Sequence, residues 1–468
     1  MEEEFTISQA LNLAVKNHTQ GNLRQAEIIY RKILEKDPNN SNALHLLGLI
    51  AHQVNKPNEA IKNIKKAIEL KPNTAIYHHN LGMVYDTIED EEESTKSFKK
   101  ALELDSQYEN AHLANYNLGI SHSDKGELNQ ALSYYNKAID LNSFPEAHWN
   151  KSLILLLLEN FNEGWKEYEY RFKKQKPSDT RIFNKPKWNG TELKNKKILI
   201  LSEQGFGDNI QFIRYLQLIK EKQGYIILEC KKELKPLFKH IPEIDELIEK
   251  QENTQNINHD FYTHIMTLPK IFNTNLQTIP NKTPYLKADS KLIQHFKEKI
   301  KQTNPNNFKI GIAWAGNPNQ DNDKNRSTTF ENFKILKNIP KTTLFSLQKG
   351  KASEQLNDSE IINLADEINN FADTAAIIQN LDLIISVDTS IAHLAGALNK
   401  PVWTLLTFTP DWRWFLNKNY SPWYPSMKLF RQSKPRDWST ILNNVKKELE
   451  KIVKSATSSY NTQPNPHL

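Results

Sequence analysis

Residues 197–230 read KILILSEQGFGDNIQFIRYLQLIKEKQGYIILEC. KILIL (197–201) is a short apolar run, SEQGFGD turns the chain, NIQFIRYLQLIKEK (209–222) has helical apolar spacing, and YIILEC (225–230) is a second apolar run. Strand, loop, helix and strand in that order begin a parallel, doubly wound sheet. KIGIAWAG (309–316) opens a second such unit, and TTLFSLQ (342–348), IINLA (361–365), LDLIISVD (381–388) and PVWTLL (401–406) supply four further strands, with helices expected at Thr374–Asn380 and Ser390–Leu398. Two facing Rossmann-like halves follow, residues 196–290 and 291–435. A helix over 436–455 is expected to cross back onto the first half, and the tail 456–468 is expected to lack structure. A cleft between such halves opens at the carboxyl ends of their strands, where ligands bind.

Upstream the pattern changes. Small residues recur twelve apart in Ala14/Ala26, Gly48/Ala60, Gly82/Ser94, Gly119/Ala131 and Ser152/Gly164, and the pairs advance by 34, 34, 37 and 33 residues. A period of 34 with small residues where two helices touch is the tetratricopeptide signature, because a larger side chain would hold the paired helices apart. Residues 1–172 therefore read as four repeats and a variant fifth ending GWKEYEYRF, and the basic, proline-containing stretch 173–195 reads as a linker. Asn80, Tyr85, Asn115, Asn117 and Asn150 are candidates to bind an extended peptide in the groove of the array, or equally a solvated polar face. The fold class is α plus α/β.

Composition narrows the partners. Residues 1–172 hold 18 Lys/Arg against 25 Asp/Glu, whereas the whole chain holds 61 against 55, so the C-terminal part is basic. That part suits nucleic acid, anionic lipid or phosphate-bearing small molecules, and charge alone does not choose among them. No apolar run approaches the roughly 18 residues of a membrane span, and the opening MEEEF is acidic where a secretory signal would be basic. The expected location is cytoplasmic, with peripheral attachment at the inner membrane as the alternative. Cys230 is the one cysteine, no His/Cys/Asp/Glu group has zinc-ligand spacing, and neither a Walker A loop nor a GxSxG elbow occurs. No metal and no cofactor is expected.

The candidate site residues lie at the strand ends. Gly205 and Gly207 suit a tight turn and close approach of a ligand, but Gln211 stands where a third dinucleotide-binding glycine would be. Asp208 reads locally as a helix N-cap, or as a carboxylate at the cleft mouth able to take a proton from a hydroxyl. Asp388, Thr389 and Ser390 stand where a helix begins, so backbone N–H groups there can hold a diphosphate. His393 follows on the same helical face, as a ligand to ribose or phosphate or as a satisfied core histidine. Lys324 and Arg326, in the loop NPNQDNDKNR (317–326), are candidates to pair with a leaving diphosphate. Lys349, with Gly350 after TTLFSLQ, is a weaker candidate for a phosphate or ribose contact. The aromatic stretch Pro410–Phe415, with Trp423 and Tyr424, suits a packed domain interface or stacking on a base or sugar.

These motifs resemble the bacterial lipopolysaccharide heptosyltransferase group, glycosyltransferase family 9, of GT-B fold. The carrying segments are SEQGFGDNIQFIRYL, GIAWAGNPNQDNDKNRS, DTAAIIQNLDLIISVDTSIAHLAGALNKPVWTLL and TPDWRWFLNKNYSPWYPSMKLFRQ. The whole chain is similar to bacterial tetratricopeptide proteins that end in this domain. The resemblance implies that Asp208 is the catalytic base, that Asp388, Thr389 and His393 bind a nucleotide-sugar donor, and that Arg326, rather than Lys324, meets its diphosphate. It also implies inverting, metal-independent transfer to a protein or glycan hydroxyl, with the repeats recruiting the acceptor or a protein partner. A donor-binding glutamate of the family has no counterpart, since Ala352 falls near its place, so the donor is left open. The alternative is a non-catalytic scaffold with a degenerate transferase fold; nucleic-acid binding lacks any module signature and is not expected.

Overall fold

The computed structural model describes residues 6–252, 256–301, 305–320 and 322–460, with side chains to residue 455. The chain divides into two compact units, Met1–Lys151 and Ser152–Leu468.

The first unit is an array of antiparallel helix pairs: α1 (Ile7–Thr19) with α2 (Leu23–Lys36), α3 (Ser41–Gln53) with α4 (Pro57–Leu70), α5 (Ala75–Thr87) with α6 (Glu91–Leu104), and α7 (Ala111–Asp124) with α8 (Leu128–Leu141). The division from the second unit falls within α9 (Pro145–Leu157). The small residues work as their spacing implies. A methyl group on Gly119 would sit 2.4 Å from the Tyr135 ring of the paired helix, and one on Gly48 would sit 2.6 Å from Ile64. The 37-residue step has two sources: the turn 105–110 is longer than its counterpart 71–74, and α7 carries one more residue before its glycine. The expected groove residues are not all available to a peptide. Asn80 is buried and its amide donates to His45 Nε2 at 2.7 Å. Asn115 is buried on the Ala111 carbonyl, Tyr85 is buried, and Asn150 donates to the Tyr116 hydroxyl at 3.2 Å. Asn80 and Asn150 pair neighbouring repeats, and Asn115 bonds back within its own helix, instead of forming a solvated face.

The second unit begins inside the expected repeat array. Helix α10 (Phe161–Tyr168) and the 3-10 turn Glu169–Phe172 are built into the α/β body. Trp165 Nε1 donates to the Thr274 carbonyl at 2.8 Å. Arg171, fully buried, forks onto Glu203 through Nε and Nη2, both at 2.9 Å, and reaches Thr267 Oγ1 at 2.8 Å. The stretch read as a linker lacks regular structure but is pinned along its length. Arg181 joins Asp179 and Glu229, and Trp188 and Leu193 are buried.

The first half carries β1 (Lys197–Leu201), β2 (Tyr225–Cys230), β3 (Glu246–Glu249) and β4 (Phe261–His264), in the order β3-β2-β1-β4 and all parallel. The second half carries β5 (Phe308–Ala313), β6 (Thr342–Ser346), β7 (Ile362–Asn363), β8 (Leu383–Val387), β9 (Val402–Leu406), β10 (Tyr420–Ser421) and β11 (Tyr424–Arg431). Their order is β10-β11-β9-β8-β5-β6-β7, with only β10 antiparallel to its neighbour. The central strands are apolar on both faces, as parallel strands covered by helices must be.

The C-terminal helix, Trp438–Tyr460, departs from expectation at both ends of its description. It does not cross back to the first half. Trp438, Ile441, Leu442, Val445, Leu449 and Val453 pack into the core of the second half, with Phe330, Phe333, Leu336 and Trp403. A continuous apolar stripe was already paired there, so no crossing is required. The helix also continues through residues 456–460, expected to lack structure, since each further residue adds a backbone bond to a helix anchored at Val453. Residues 461–468 lie outside the described residues.

Candidate functional site

The loop after β1 leads into helix α11 (Phe206–Phe212), and its geometry assigns the residues of SEQGFGD different tasks. Gln204, not a glycine, takes the left-handed conformation, with φ of 56°. Gly205 is extended and begins the helix. Gly207 is required by close approach, but of protein and not ligand: a methyl group there would lie 2.7 Å from Cδ2 of His393, in the opposite half. Asp208 stands third in the helix and accepts the Gly205 N–H on Oδ2 at 2.8 Å, so it does part of the capping work anticipated for it.

The other oxygen of Asp208 looks across the junction. Oδ1 accepts from Nη2 of Arg413, on the 3-10 turn Trp412–Trp414 after β9. Arg413 also donates from Nε to Gln211 Oε1 at 2.7 Å and from Nη1 to Asp411 Oδ1 at 2.8 Å. Burial pushes the Asp208 carboxyl above its ordinary value; Arg413 and the Gly205 N–H pull it down, and Asp411 and Glu203 add to the rise. A carboxylate so placed holds a proton more readily than one in water.

In the second half β8 ends at Val387 and the helix Ser390–Ala397 begins under an N-cap, Thr389, whose Oγ1 accepts the Ile391 N–H at 3.3 Å and pairs with Ser386 Oγ at 3.0 Å. The Thr389 hydroxyl is therefore committed to the cap, while Ser390 opens the helix half-buried. Asp388 is pushed up to about 6 by burial and then by the charge of Asp411, against Trp414, Arg326 and Arg413. His393 is buried, stacked on Trp414 at 5.2 Å between ring centres, and paired through Nδ1 with the Tyr424 hydroxyl at 2.9 Å. Its Nε2 lies 3.9 Å from Asp388 Oδ1. Burial and the nearby Arg413, Arg214 and Arg326 hold the imidazole well below its usual pKa, so it is neutral near pH 7.

The remaining expected residues separate. Arg326 belongs to this cluster: Nη1 donates to the Asp388 carbonyl at 3.3 Å, Nε binds Asp323 at 3.1 Å, and a methyl group on Gly316 would sit 2.4 Å from Nη2. Lys324 is exposed. Lys349 donates to the Ala365 carbonyl at 2.7 Å, holding the turn after β7. Ala352 lies in the 3-10 turn Lys351–Gln355.

Two arginines that hold the halves together were not singled out from the sequence. Arg413 sits in a segment read for its aromatic residues. Arg214 is buried and donates from Nε to the Gln211 carbonyl, from Nη1 to the carbonyls of Trp423 and Pro280, and from Nη2 to the Tyr285 hydroxyl. Phe206 and Phe371 add a ring contact at 4.9 Å. The DWRW and SPWY segments carried the only sequence signal, as clusters of aromatic residues expected at an interface.

Residues 341–444 match Glycosyltransferase family 9 (heptosyltransferase), a span that takes in Asp388, Thr389, His393 and Arg413 and leaves out Asp208 and Arg326. Residues 29–62, 75–108 and 113–144 match tetratricopeptide repeats. Protein FlbA of Caulobacter vibrioides is 25% identical over 367 residues, covering 71% of this chain and 60% of FlbA. An uncharacterized protein of Methanocaldococcus jannaschii, MJ0572, is 43% identical over 50 residues, 10% of this chain and 58% of its own. The chain thus spans about three fifths of the length of the curated relatives it matches. Among solved structures, MamA is similar at 27% identity over 35% of this chain and 94% of that one, with a TM-score of 0.31. Pseudomonas aeruginosa pilF is similar at 22% identity over 35% and 74%, with a TM-score of 0.34. Among the described residues no helix is long and apolar enough to cross a membrane.

Proposed function

We propose that this chain, which carries tetratricopeptide repeats in its N-terminal region and a glycosyltransferase family 9 domain at its C-terminus, moves a sugar from a nucleotide-sugar donor to a hydroxyl of a protein or glycan acceptor. The observation that carries this reading is the meeting of Asp208, on the first half, with the Asp388–His393 segment, on the second, where Gly207 touches His393. The donor lies against the second half. Its diphosphate takes the positive end of the Ser390–Ala397 helix, where Ser390 is half-buried, and the positive charge of Arg326. The neutral His393 offers Nε2 beside Asp388 for a ribose or sugar hydroxyl.

The acceptor hydroxyl enters from the first half. Asp208 takes its proton as the oxygen attacks the anomeric carbon. The bond from that carbon to the diphosphate oxygen breaks through an oxocarbenium-like state, and the nucleoside diphosphate leaves with the electron pair. Attack opposite the leaving group inverts the anomeric centre. Positive charge for the leaving group comes from Arg326 and the helix N-terminus, so the reading asks for no metal. The repeats recruit the acceptor or a protein partner. The donor sugar is of hexosyl or heptosyl type.

A second reading, a non-catalytic repeat scaffold, draws on the engagement of both Asp208 oxygens and on Ala352 at the place of the family's glutamate. Purified chain is incubated with a panel of nucleotide sugars and nucleoside diphosphate release is measured, with Asp208→Asn alongside. Release from one donor that falls at least about 100-fold in the variant supports transfer, since a general base contributes about 100- to 10,000-fold. Donor binding without release in the presence of acceptor-containing lysate, or no binding at all, favours the scaffold.

A further inference from the structure

We propose that Arg413 is a positioning residue for Asp208: acting from the donor half, it sets the carboxylate of the base, so that the base is competent only while the two halves are together. The inference rests on the transferase reading above and adds to it a residue outside the donor and acceptor contacts.

Each oxygen of the Asp208 carboxylate has one donor: the Gly205 N–H on Oδ2 and the Arg413 guanidinium on Oδ1. Two donors on two oxygens fix the plane of the group, and the lone pairs left on each oxygen remain for an incoming hydroxyl. The second grip of Arg413, on Gln211, falls three residues along α11, so the guanidinium holds one face of that helix at two points.

The arginine is itself held. Its side chain is 8% exposed, and its guanidinium lies 4.4 Å from the Trp412 ring centre. Asp411 caps the turn by accepting the Arg413 N–H at 3.0 Å and also binds Nη1. Trp412 packs edge-on against Trp165, Tyr168 and Trp423. Arg431 donates to the Trp414 carbonyl at 2.5 Å. A side chain with this support transmits the position of its own half to its partner.

If the halves part, Asp208 keeps only the Gly205 bond, which belongs to its own helix. The carboxylate is then free to rotate about its last bond, and a misplaced base loses about 100-fold in rate for an error of about 1 Å.

The test uses the full chain as wild type, Arg413→Ala, Arg413→Lys, Asp208→Asn and the double variant Asp208→Asn/Arg413→Ala. Nucleoside diphosphate release is followed with the donor identified from the panel, and donor affinity is measured by calorimetry. The expected result for Arg413→Ala is a fall in kcat of about 100-fold with donor affinity unchanged, partly restored by added guanidinium ion. Arg413→Lys, which keeps the charge and loses the fork, folds as the wild type does and is also slow. In the Asp208→Asn background, removal of Arg413 has no further effect, because the group it positions is gone. Unchanged kcat in both Arg413 variants overturns the proposal. Lost donor affinity with additive effects in the double variant also overturns it, and makes Arg413 a donor ligand. Loss of turnover in both variants with matching loss of thermal stability and no guanidinium rescue makes it structural. No release by the wild type from any donor overturns the transferase reading itself, and this proposal with it.

Discussion

At the scale of single residues, the site is decided by close approach and by charge held out of water. Gly207 is the clearest case. An added methyl group meets the His393 ring at 2.7 Å, and that ring is stacked on Trp414 and bonded to Tyr424, so it has nowhere to move. Gly207→Ala therefore separates the halves locally. The expected outcome is a loss of donor turnover of about 10-fold or more, from about 1–3 kcal/mol of overpacking, with little change in the circular dichroism spectrum. Full activity in Gly207→Ala would show that the contact does not matter to the chemistry. Asp388 gives a second test. Its carboxyl is pushed up to about 6 by burial and the charge of Asp411. Below that pH it is neutral, so a contact that needs the carboxylate weakens as pH falls through about 6. Donor affinity measured from pH 5 to pH 8 should show an inflection near 6 that Asp388→Asn abolishes. His393, held well below its usual pKa by burial and by Arg413, Arg214 and Arg326, is not the group expected to give that inflection, and Asp388→Asn tests this.

The limits of sequence reading also belong at this scale. Asp208, Asp388, Thr389 and His393 stand beside strand ends that their apolar runs make plain, and the fold brings these positions to one junction. Arg413 could not be read the same way. Its partners Asp208 and Gln211 lie more than 200 residues earlier, and a charged residue among tryptophans carries no mark of what it will pair with. Lys349 and Arg326 are alike in sequence, each basic and in the segment that follows a strand, directly after β6 for Lys349 and at the far end of the loop after β5 for Arg326. The turn after β7 offers Lys349 a bare carbonyl at Ala365, whereas Arg326 finds the end of β8.

At the scale of elements, strands with continuous apolar runs were legible and strands defined by their neighbours were not. KILIL, YIILEC, LIISV and VWTLL are buried on both faces and announce themselves. By contrast, β3 (ELIE) is a charged edge strand, and β11 (YPSMKLFR) holds a proline and a lysine; both exist because a neighbouring strand pairs with them. IINLA contributes only Ile362 and Asn363 to β7 before the chain turns. The helices of the repeat array were legible from small residues. Gly119→Ala should lower thermal stability by about 1–3 kcal/mol, as overpacking against a buried tyrosine. Gly21→Ala serves as the control of a different kind: no atom stands near its missing side chain, so any cost there comes from its φ of 81°.

The histidines of the array give an element-scale pH dependence. His45 Nε2 accepts from Asn80, and His79 Nδ1 faces the Tyr108 hydroxyl while its Nε2 is buried without a partner. Burial lowers both to about 4 from an ordinary 6.5. The unfolded chain therefore binds protons at a higher pH than the folded one. Stability is full above about 6.5, falls as pH drops toward 4, and levels off below that. The loss is on the order of 3 kcal/mol per histidine. Urea titrations of the full chain at pH 7.5 and 4.5, followed by far-ultraviolet circular dichroism, should show the helical array unfolding at lower denaturant in acid. His79→Gln should reduce that difference; an equal shift with and without His79 would place the acid sensitivity elsewhere.

At the scale of the whole molecule, the question is where the unit that holds the candidate site begins. The repeat period carries the eye to residue 172, yet the compact unit that holds the site starts at Ser152. The difference is physical. Gly164 of α10 packs on Leu156 as the repeat pattern requires, while the far side of the same helix is committed to the α/β body through Trp165 on the Thr274 carbonyl. Arg171 carries the largest consequence. It neutralises Glu203, which is buried and also accepts the Met266 N–H at 3.0 Å, and the carbonyl of Glu203 receives the side chain of Asn209, next to Asp208. Arg171 also binds Glu169 Oε1 at 2.7 Å, a carboxylate shared with Lys187. Removing one partner of a buried ion pair leaves an uncompensated charge and costs about 3–5 kcal/mol, whereas replacing Arg171 and Glu203 together removes both of those charges and leaves Glu169 to Lys187 and Thr267. A chain beginning at Ser152 should therefore fold cooperatively, and one beginning at residue 173 should be less stable by several kcal/mol, since it loses Trp165 and Arg171 together. Within the full chain, Arg171→Met should lower the melting temperature strongly, and Arg171→Met/Glu203→Leu should recover part of the loss, since Glu169 keeps Lys187 but not Arg171, while leaving the loop before Asp208 without its anchor. If the double variant regains stability but not donor turnover, the last helix of the repeats is part of the catalytic architecture. If it regains both, that helix only completes the core, and the loop after β1 holds its shape through Gly205 and Asn209 alone.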